Sequence, residues 1–139
     1  MNTEDTDEMQ MRRIGMDEFE DVNQLTQRVI GCAMRVSNTL GVGFLEKVYE
    51  NALIVELHLQ GIECEQQHSL QVFYENVVVG EFICDIVVQN RLILELKACR
   101  AIEDAHQAQL LNYLRATGTR VGLLLNFGTS RLGIKRMVF

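Results

Sequence analysis

From Val22 onward the apolar residues Leu25, Val29, Ala33, Val36 and Leu40 recur at three- and four-residue intervals, the spacing that lines one face of a helix. The stretch "LGVG" ends that run, with Gly41 or Gly43 as its C-terminal cap. A second stripe, Val48, Tyr49, Ala52, Leu53 and Leu57, predicts a helix over Leu45 to Leu59 that Gly61 ends, with Tyr49 in the core. The period then changes. Leu70–Tyr74, Val77–Val88 and Leu92–Lys97 read as strands, with "EN" and "QNR" as the tight turns between them. Helical spacing returns over Glu103–Thr117 and stops at Gly118. The wholly apolar Val121–Phe127 and the segment Leu132–Val138 read as two final strands, the last at a sheet edge. Gly118, Gly122 and Gly128 read as turn punctuation. The order α-α-β-β-β-α-β-β predicts an α/β (α+β) fold with a mixed sheet flanked by helices.

Three charges interrupt the apolar strands: Asp85, Glu95 and Lys97. Strict alternation sends Ile83, Asp85 and Val87 to one face and Phe82, Cys84, Ile86 and Val88 to the other, while Ile93, Glu95 and Lys97 share a face. If Gln89-Asn90-Arg91 is a three-residue connection, Val88 pairs with Leu92 and Asp85 falls directly across from Glu95, with Cβ atoms ~5 Å apart. A two-residue connection instead sets Asp85 across from Leu94 and sends the carboxylates to opposite faces. In the first register two like charges converge, and a hard divalent cation relieves their repulsion: Mg²⁺ or Mn²⁺ takes carboxylate and carbonyl oxygens. The backbone carbonyl of Leu96, between Glu95 and Lys97, adds a further oxygen. Lys97, on the same face, would orient an attacking water or neutralise charge growing on a phosphate. The competing expectation is an ordinary salt bridge at a sheet edge. Against it stand the apolar neighbours on both strands, since burying an ion costs several kcal/mol before pairing recovers it.

Charge changes the picture only through its distribution. The chain carries a net −6, but residues 1–21 hold eight acids against Arg12 and Arg13, so the remainder balances to zero. From Arg91 onward eight basic residues face Glu95, Glu103 and Asp104, a local excess of +5 that a phosphate-bearing partner could use. Residues 1–21 therefore read as a flexible, acidic polar tail, with Ile14 to Phe19 as a segment able to dock, and residues 22–139 as one domain. No apolar run reaches the ~20 residues of a membrane helix, and the acidic N-terminus lacks the apolar stretch of a secretory signal. Cys32, Cys64, Cys84 and Cys99 are widely spaced without a C-x-x-C pair, which fits reduced thiols in a cytoplasmic protein.

An Asp followed ten residues later by E-x-K, on strands that follow a helix bearing a Glu, resembles the PD-(D/E)xK nuclease superfamily. "GFLEKVYE" also holds Gly43, Glu46 and Tyr49 in the spacing G-x-x-E-x-x-Y, which names a family of small bacterial proteins in that superfamily. "VYENAL", "VGEF", "LELKA", "HQAQLLNYL", "LLLNFG" and "KRMVF" are similar as well, so the resemblance runs from about Ile14 to the C-terminus. It implies a restriction-endonuclease-like α-β-β-β-α-β core. It implies that Asp85 and Glu95 ligate the metal with the Leu96 carbonyl, that Lys97 is the catalytic lysine, and that Glu46 is the helix acid that helps hold the ion. Gln109 and Tyr113 match the Q-x-x-x-Y element of the RecB-like branch, which contacts substrate, and His106 lies one turn earlier on that helix face. Val42 stands where the family carries proline and Cys84 where it carries a small residue; neither change removes a ligand.

The function these readings imply is Mg²⁺- or Mn²⁺-dependent hydrolysis of phosphodiester bonds in nucleic acid, with DNA as partner and no membrane association; a separate reading is a structural subunit of a larger assembly, its apolar final segments pairing across a homodimer. The alternative is a nuclease-fold module that binds nucleic acid or a protein without turnover. Each extra residue has a quieter role open to it: Glu46 as a helix N-terminal charge, Gln109–Tyr113 as a structural hydrogen bond, and His106 as a surface residue.

Overall fold

The structure, a computed structural model, describes residues 3–139, with side chains from Val22 onward. The expected polar tail over residues 1–21, and docking of Ile14 to Phe19, lie outside the residues described with side chains. The elements run α1 (Thr3–Leu40), α2 (Glu46–Leu59), β1 (Cys64–Tyr74), β2 (Val77–Val88), β3 (Leu92–Lys97), α3 (Asp104–Thr117), β4 (Val121–Asn126) and β5 (Gly133–Val138). The strands form one mixed sheet in the order β1-β2-β3-β4-β5, in which β3 and β4 are parallel and the other neighbours antiparallel. Helices α1 and α2 cover one face and α3 the other, the layered arrangement expected of the sequence order.

On the first face Leu25, Val29, Cys32, Ala33 and Val36 of α1 and Tyr49, Leu53 and Leu57 of α2 pack against Ile86, Val88, Leu92, Leu94, Leu96, Leu123 and Leu125. On the second, Leu110 and Leu114 of α3 pack against Cys84, Val87, Ile93 and Leu124. The β3–β4 pair, covered on both sides, is thus apolar on both faces, as buried parallel strands are. Gly122 belongs inside β4 and is not a turn: a Cβ there would sit 2.9 Å from Leu110 Cδ1, so its absence lets α3 approach the sheet. Val48, expected in the core, is 39% exposed, and the buried stripe of α2 instead includes Glu50.

Strand β1 begins at Cys64, where the apolar pattern started it at Leu70. "CEQQHS" has no apolar alternation to mark it, yet its backbone pairs with β2 from Cys64↔Val88 onward. The ladder omits one pair, Gln67 with Asp85, and there the strands exchange faces. Cys64 packs with Ile86 and Val88 toward α1 and α2, while Leu70 packs with Phe82 and Cys84 toward α3. The strict alternation expected for Phe82 to Val88 therefore fails at Asp85. The β1 residue at this break is Gln67, whose φ of 54° lies in the left-handed region; a separate register shift falls between Val72 and Phe73.

Candidate active site

The β2–β3 hairpin sets the register on which the acid pair depends. Gln89 and Asn90 both have positive φ, 50° and 55°, and Arg91 N–H donates to Val88 O at 3.0 Å, the geometry of a two-residue type I′ turn. The ladder nevertheless steps past Arg91 and pairs Val88 with Leu92, Val87 with Ile93 and Ile86 with Leu94. One further step sets Asp85 across from Glu95, as the three-residue connection requires. The last backbone pair is Ile86↔Leu94. Beyond it the Asp85 carboxylate enters the gap, and its Oδ2 accepts the Leu96 N–H at 2.8 Å. In an extended strand the N–H and C=O of one residue project from the same edge, so the Leu96 carbonyl also faces β2.

Asp85 and Glu95 are in contact. The Asp85 N–H lies 3.4 Å from Glu95 Oε1, and the two carboxyls interact directly. Burial, then the neighbouring Asp85 charge, pushes Glu95 up to about 8. Asp85 is raised as well, first by burial, although the Leu96 amide works against the shift. The pair titrates as a unit. The same field adds to burial in pushing the Cys84 thiol up to about 12. Lys97 supplies positive charge to this cluster and lowers the carboxyls of Glu46, Asp85 and Glu95.

Glu46 reaches the cluster from α2. It is the first residue of that helix, where the macrodipole favours an acid, and its carboxylate accepts the Ala98 N–H beyond Lys97. Burial raises it most; Lys97 opposes that shift, and Asp85 and Glu50 add to it. Tyr49 fixes the loop that presents it: its hydroxyl donates to Gly41 O at 2.6 Å and accepts the Phe44 N–H at 3.2 Å, while its ring stacks on Phe127 at 4.9 Å. Gly41 caps α1, with φ 71° and its N–H on Ser37 O at 2.9 Å, and Gly43 has φ 108°, a conformation that suits glycine. The Gly, Glu and Tyr of the motif are thus one device, a turn, an acid and the clamp that holds them.

Two residues of the site escaped the sequence reading. Glu50 is 4% exposed and accepts hydrogen bonds from Lys47 Nζ, Gln66 Nε2 and Gln67 Nε2, at 2.6, 2.5 and 2.8 Å. Its signal was present, since it follows Glu46 by four residues and so shares its helix face. Gln67, which carries the break in β1, had no signal beyond polarity. Past Lys97, the buried Asn126 holds the chain: its Oδ1 accepts the Cys99 and Gly128 N–H groups at 3.1 and 3.0 Å, and its Nδ2 donates to Cys99 O at 3.0 Å. A Cβ on Gly128 would lie 2.3 Å from Cys99 O, so this glycine is a packing requirement and not turn punctuation.

On the α3 side, Gln109 Nε2 donates to Tyr113 Oη at 2.6 Å, and the Tyr113 ring stacks on Phe82 at 3.8 Å. Tyr113 is raised by burial and then by Glu95, which places it beside the acid pair. His106 instead completes a capping box: its Nδ1 accepts the Glu103 N–H at 3.1 Å. Among the described residues no three His, Cys, Asp or Glu side chains already converge as a metal cage. The donor set nonetheless fits a hard cation, for it is all oxygen, and burial and mutual repulsion raise both carboxyls where a positive charge would relieve them.

A family model described as the PD-(D/E)XK nuclease superfamily matches residues 23–137. The chain belongs to that superfamily. A solved structure titled "Crystal structure of SSO0001" superposes with a TM-score of 0.54 at 17% sequence identity, over 67% of this chain and 50% of that one, and so shares the fold. This chain thus matches about half the length of that protein. No curated protein matches it by sequence. Among the described residues no helix is long and apolar enough to cross a membrane.

Proposed function

We propose that this protein is a divalent-metal-dependent nuclease that hydrolyses phosphodiester bonds in nucleic acid, with DNA as substrate and Mg²⁺ or Mn²⁺ as the ion. The observation that carries the reading is the contact between Asp85 and Glu95, two carboxyls raised together with Lys97 in their field. Asp85, Glu95, the Leu96 carbonyl and Glu46 would hold the ion. When bound, it supplies the positive charge that attacking and leaving oxygens need in phosphoryl displacement. Lys97 would hold its ammonium against the phosphate and orient the attacking water. Gln109 and Tyr113 would position the strand from the α3 side. Tyr49 and the two glycines keep Glu46 aimed at the cluster without touching substrate. The spacing of Gly43, Glu46 and Tyr49, with the Gln109–Tyr113 pair, supports a place among the GxxExxY proteins near the RecB-like branch. Four free thiols suit a cytoplasmic setting.

The test is incubation of the purified chain with single- and double-stranded DNA in Mg²⁺ or Mn²⁺. We expect cleavage that Asp85→Ala and Lys97→Ala each reduce by about 100-fold or more, the usual loss for a group that stabilises transition-state charge. Activity unchanged in both variants would overturn the site. Binding of DNA without cleavage by the native chain would favour the module without turnover.

A further inference from the structure

Helix α2 carries a second apolar stripe that the core does not use. Leu45, Val48, Ala52, Val55 and Leu59 recur at intervals of three, four, three and four, the spacing of a seam along which two helices pair. Tyr49, Leu53 and Leu57 pack toward the sheet, so this seam turns outward. Leu45, Val48, Val55 and Leu59 are 80%, 39%, 58% and 73% exposed, and Phe44 beside them 48%. Together these five expose on the order of 600 Å², large for a patch on a monomer and close to the ~800 Å² that each side of a stable interface buries. A helix apolar on both sides is one that is buried on both.

Symmetry and charge select the occupant. Outward from Ala52 the seam runs Val then Leu in both directions. A two-fold axis at Ala52 therefore sets two copies of α2 antiparallel, with Leu45 on the partner's Leu59 and Val48 beside the partner's Val55. The small Ala52 side chains meet at the crossing, where they let the helices approach. Such a self-complementary patch suits an isologous interface, in which one surface serves both copies. Charge points the same way. The chain carries a net −6, which sets copies of it against each other. Along this seam, however, Glu56 is paired with Arg35 and Lys47 with Glu50, each at 2.6 Å, and Asn51 and Gln60 are neutral. Two other exposed apolar surfaces lack that property. Strand β5 places Lys135 and Arg136 between Ile134 and Val138, and the β1–β2 hairpin places Glu75 and Glu81 among Phe73, Tyr74 and Val77 to Val79. A two-fold through either brings like charges together, which opposes association. We propose that α2 is a dimer interface of this protein and that its occupant is α2 of a second copy, antiparallel about Ala52. The two Glu46 residues then stand toward opposite ends of the paired helices. The interface stands independently of the nuclease reading.

The experiment is sedimentation equilibrium of the full chain over a range of concentrations. We expect the mass to rise from the 15.9 kDa of one chain to twice that value. Val48→Lys and Val55→Glu should each weaken association about tenfold or more, since each sets a charge against a valine of the partner. The double variant sets Lys beside Glu twice and should recover much of that loss. Within one chain the two positions lie about two helical turns apart, so only the antiparallel pairing brings them together. Val138→Glu on β5 should leave association unchanged. All three positions are exposed in the single chain, so Tm at concentrations too low for the dimer should match that of the native chain. A monomer at every concentration would overturn the proposal. So would a dimer that Val138→Glu dissociates and Val55→Glu does not, or a double variant that associates no better than either single one.

Discussion

Gln67 stands across from Asp85 in the β1–β2 register, and the two form the one pair that the ladder skips between Cys64↔Val88 and Val72↔Gly80. Both strands exchange faces there, so one break in regular pairing serves two ends. It frees Asp85 to meet Glu95 and Leu96 N–H, and it turns Gln67 to donate to Glu50 on α2. A left-handed conformation at a non-glycine residue costs about 1–2 kcal/mol, and the hydrogen bond to the buried Glu50 offsets a cost of that size.

Gln67→Gly separates these contributions. Glycine removes the backbone strain and the Glu50 contact together, so the net change in stability should stay within about 1 kcal/mol. Activity should nonetheless fall, because Glu50 loses a donor beside the acid cluster. Gln67→Ala keeps the strain and loses the bond, and should cost about 2 kcal/mol. Denaturant unfolding of the two variants beside their DNA cleavage rates checks the ordering; equal loss of stability in both would refute it.

Tyr49→Phe tests the clamp. The ring and its stacking on Phe127 stay, while the hydroxyl that joins Gly41 O to Phe44 N–H is lost. Stability should drop by about 1–2 kcal/mol. Cleavage should fall further than that loss of fold explains, since Glu46 directly follows the loop so released. A variant as active as the native chain at temperatures well below its Tm would show that Glu46 needs no such support.

What the sequence made legible followed from burial. The helices and the strands β2, β3 and β4 carry apolar periods, and their register brings Asp85 to Glu95 as a three-residue connection predicts. The turn itself is a two-residue type I′ turn with Arg91 as an extra residue, and no residue preference distinguishes that from a plain three-residue loop. The face exchange at Gln67 and Asp85 was illegible for another reason: alternation is a rule about regular strands, and the break is carried by backbone dihedrals that polarity does not report. Glu50 lay in plain view on an apolar stripe, where a charge needs partners, and those partners come from a strand start with no apolar pattern.

Asn126→Ala and Gly128→Ala probe the segment after Lys97 from opposite sides. The first strands the half-buried Cys99 N–H and C=O, at about 1 kcal/mol or more for each group left unsatisfied. The second forces a methyl against the Cys99 backbone, an overpacking cost of about 1–3 kcal/mol. Both should lower Tm, and both should weaken cleavage by shifting Lys97 without removing it. Retention of native Tm in Gly128→Ala would mean that this approach relaxes more easily than the backbone contacts imply.

The acid pair makes stability depend on pH in a direction opposite to that of most carboxylates. Glu95 stands at about 8 in the fold against an ordinary 4.5, so between those values the native state keeps a proton that the unfolded chain has released. Its contribution is therefore fully present below about 4.5 and is lost as pH rises through the window toward 8; the raised Asp85 and Glu46 act in the same sense. In EDTA the native chain should lose Tm between about pH 5.5 and pH 8.5, and Glu95→Gln, which cannot ionise, should lose much less. A divalent ion that displaces the Glu95 proton should reverse the native trend, so the Tm gain from Mn²⁺ should grow with pH across the same range and be lost in Glu95→Gln. Parallel pH profiles for native chain and variant in EDTA would mean that Glu95 does not hold that proton, and would remove the electrostatic case for a cation between the two carboxyls.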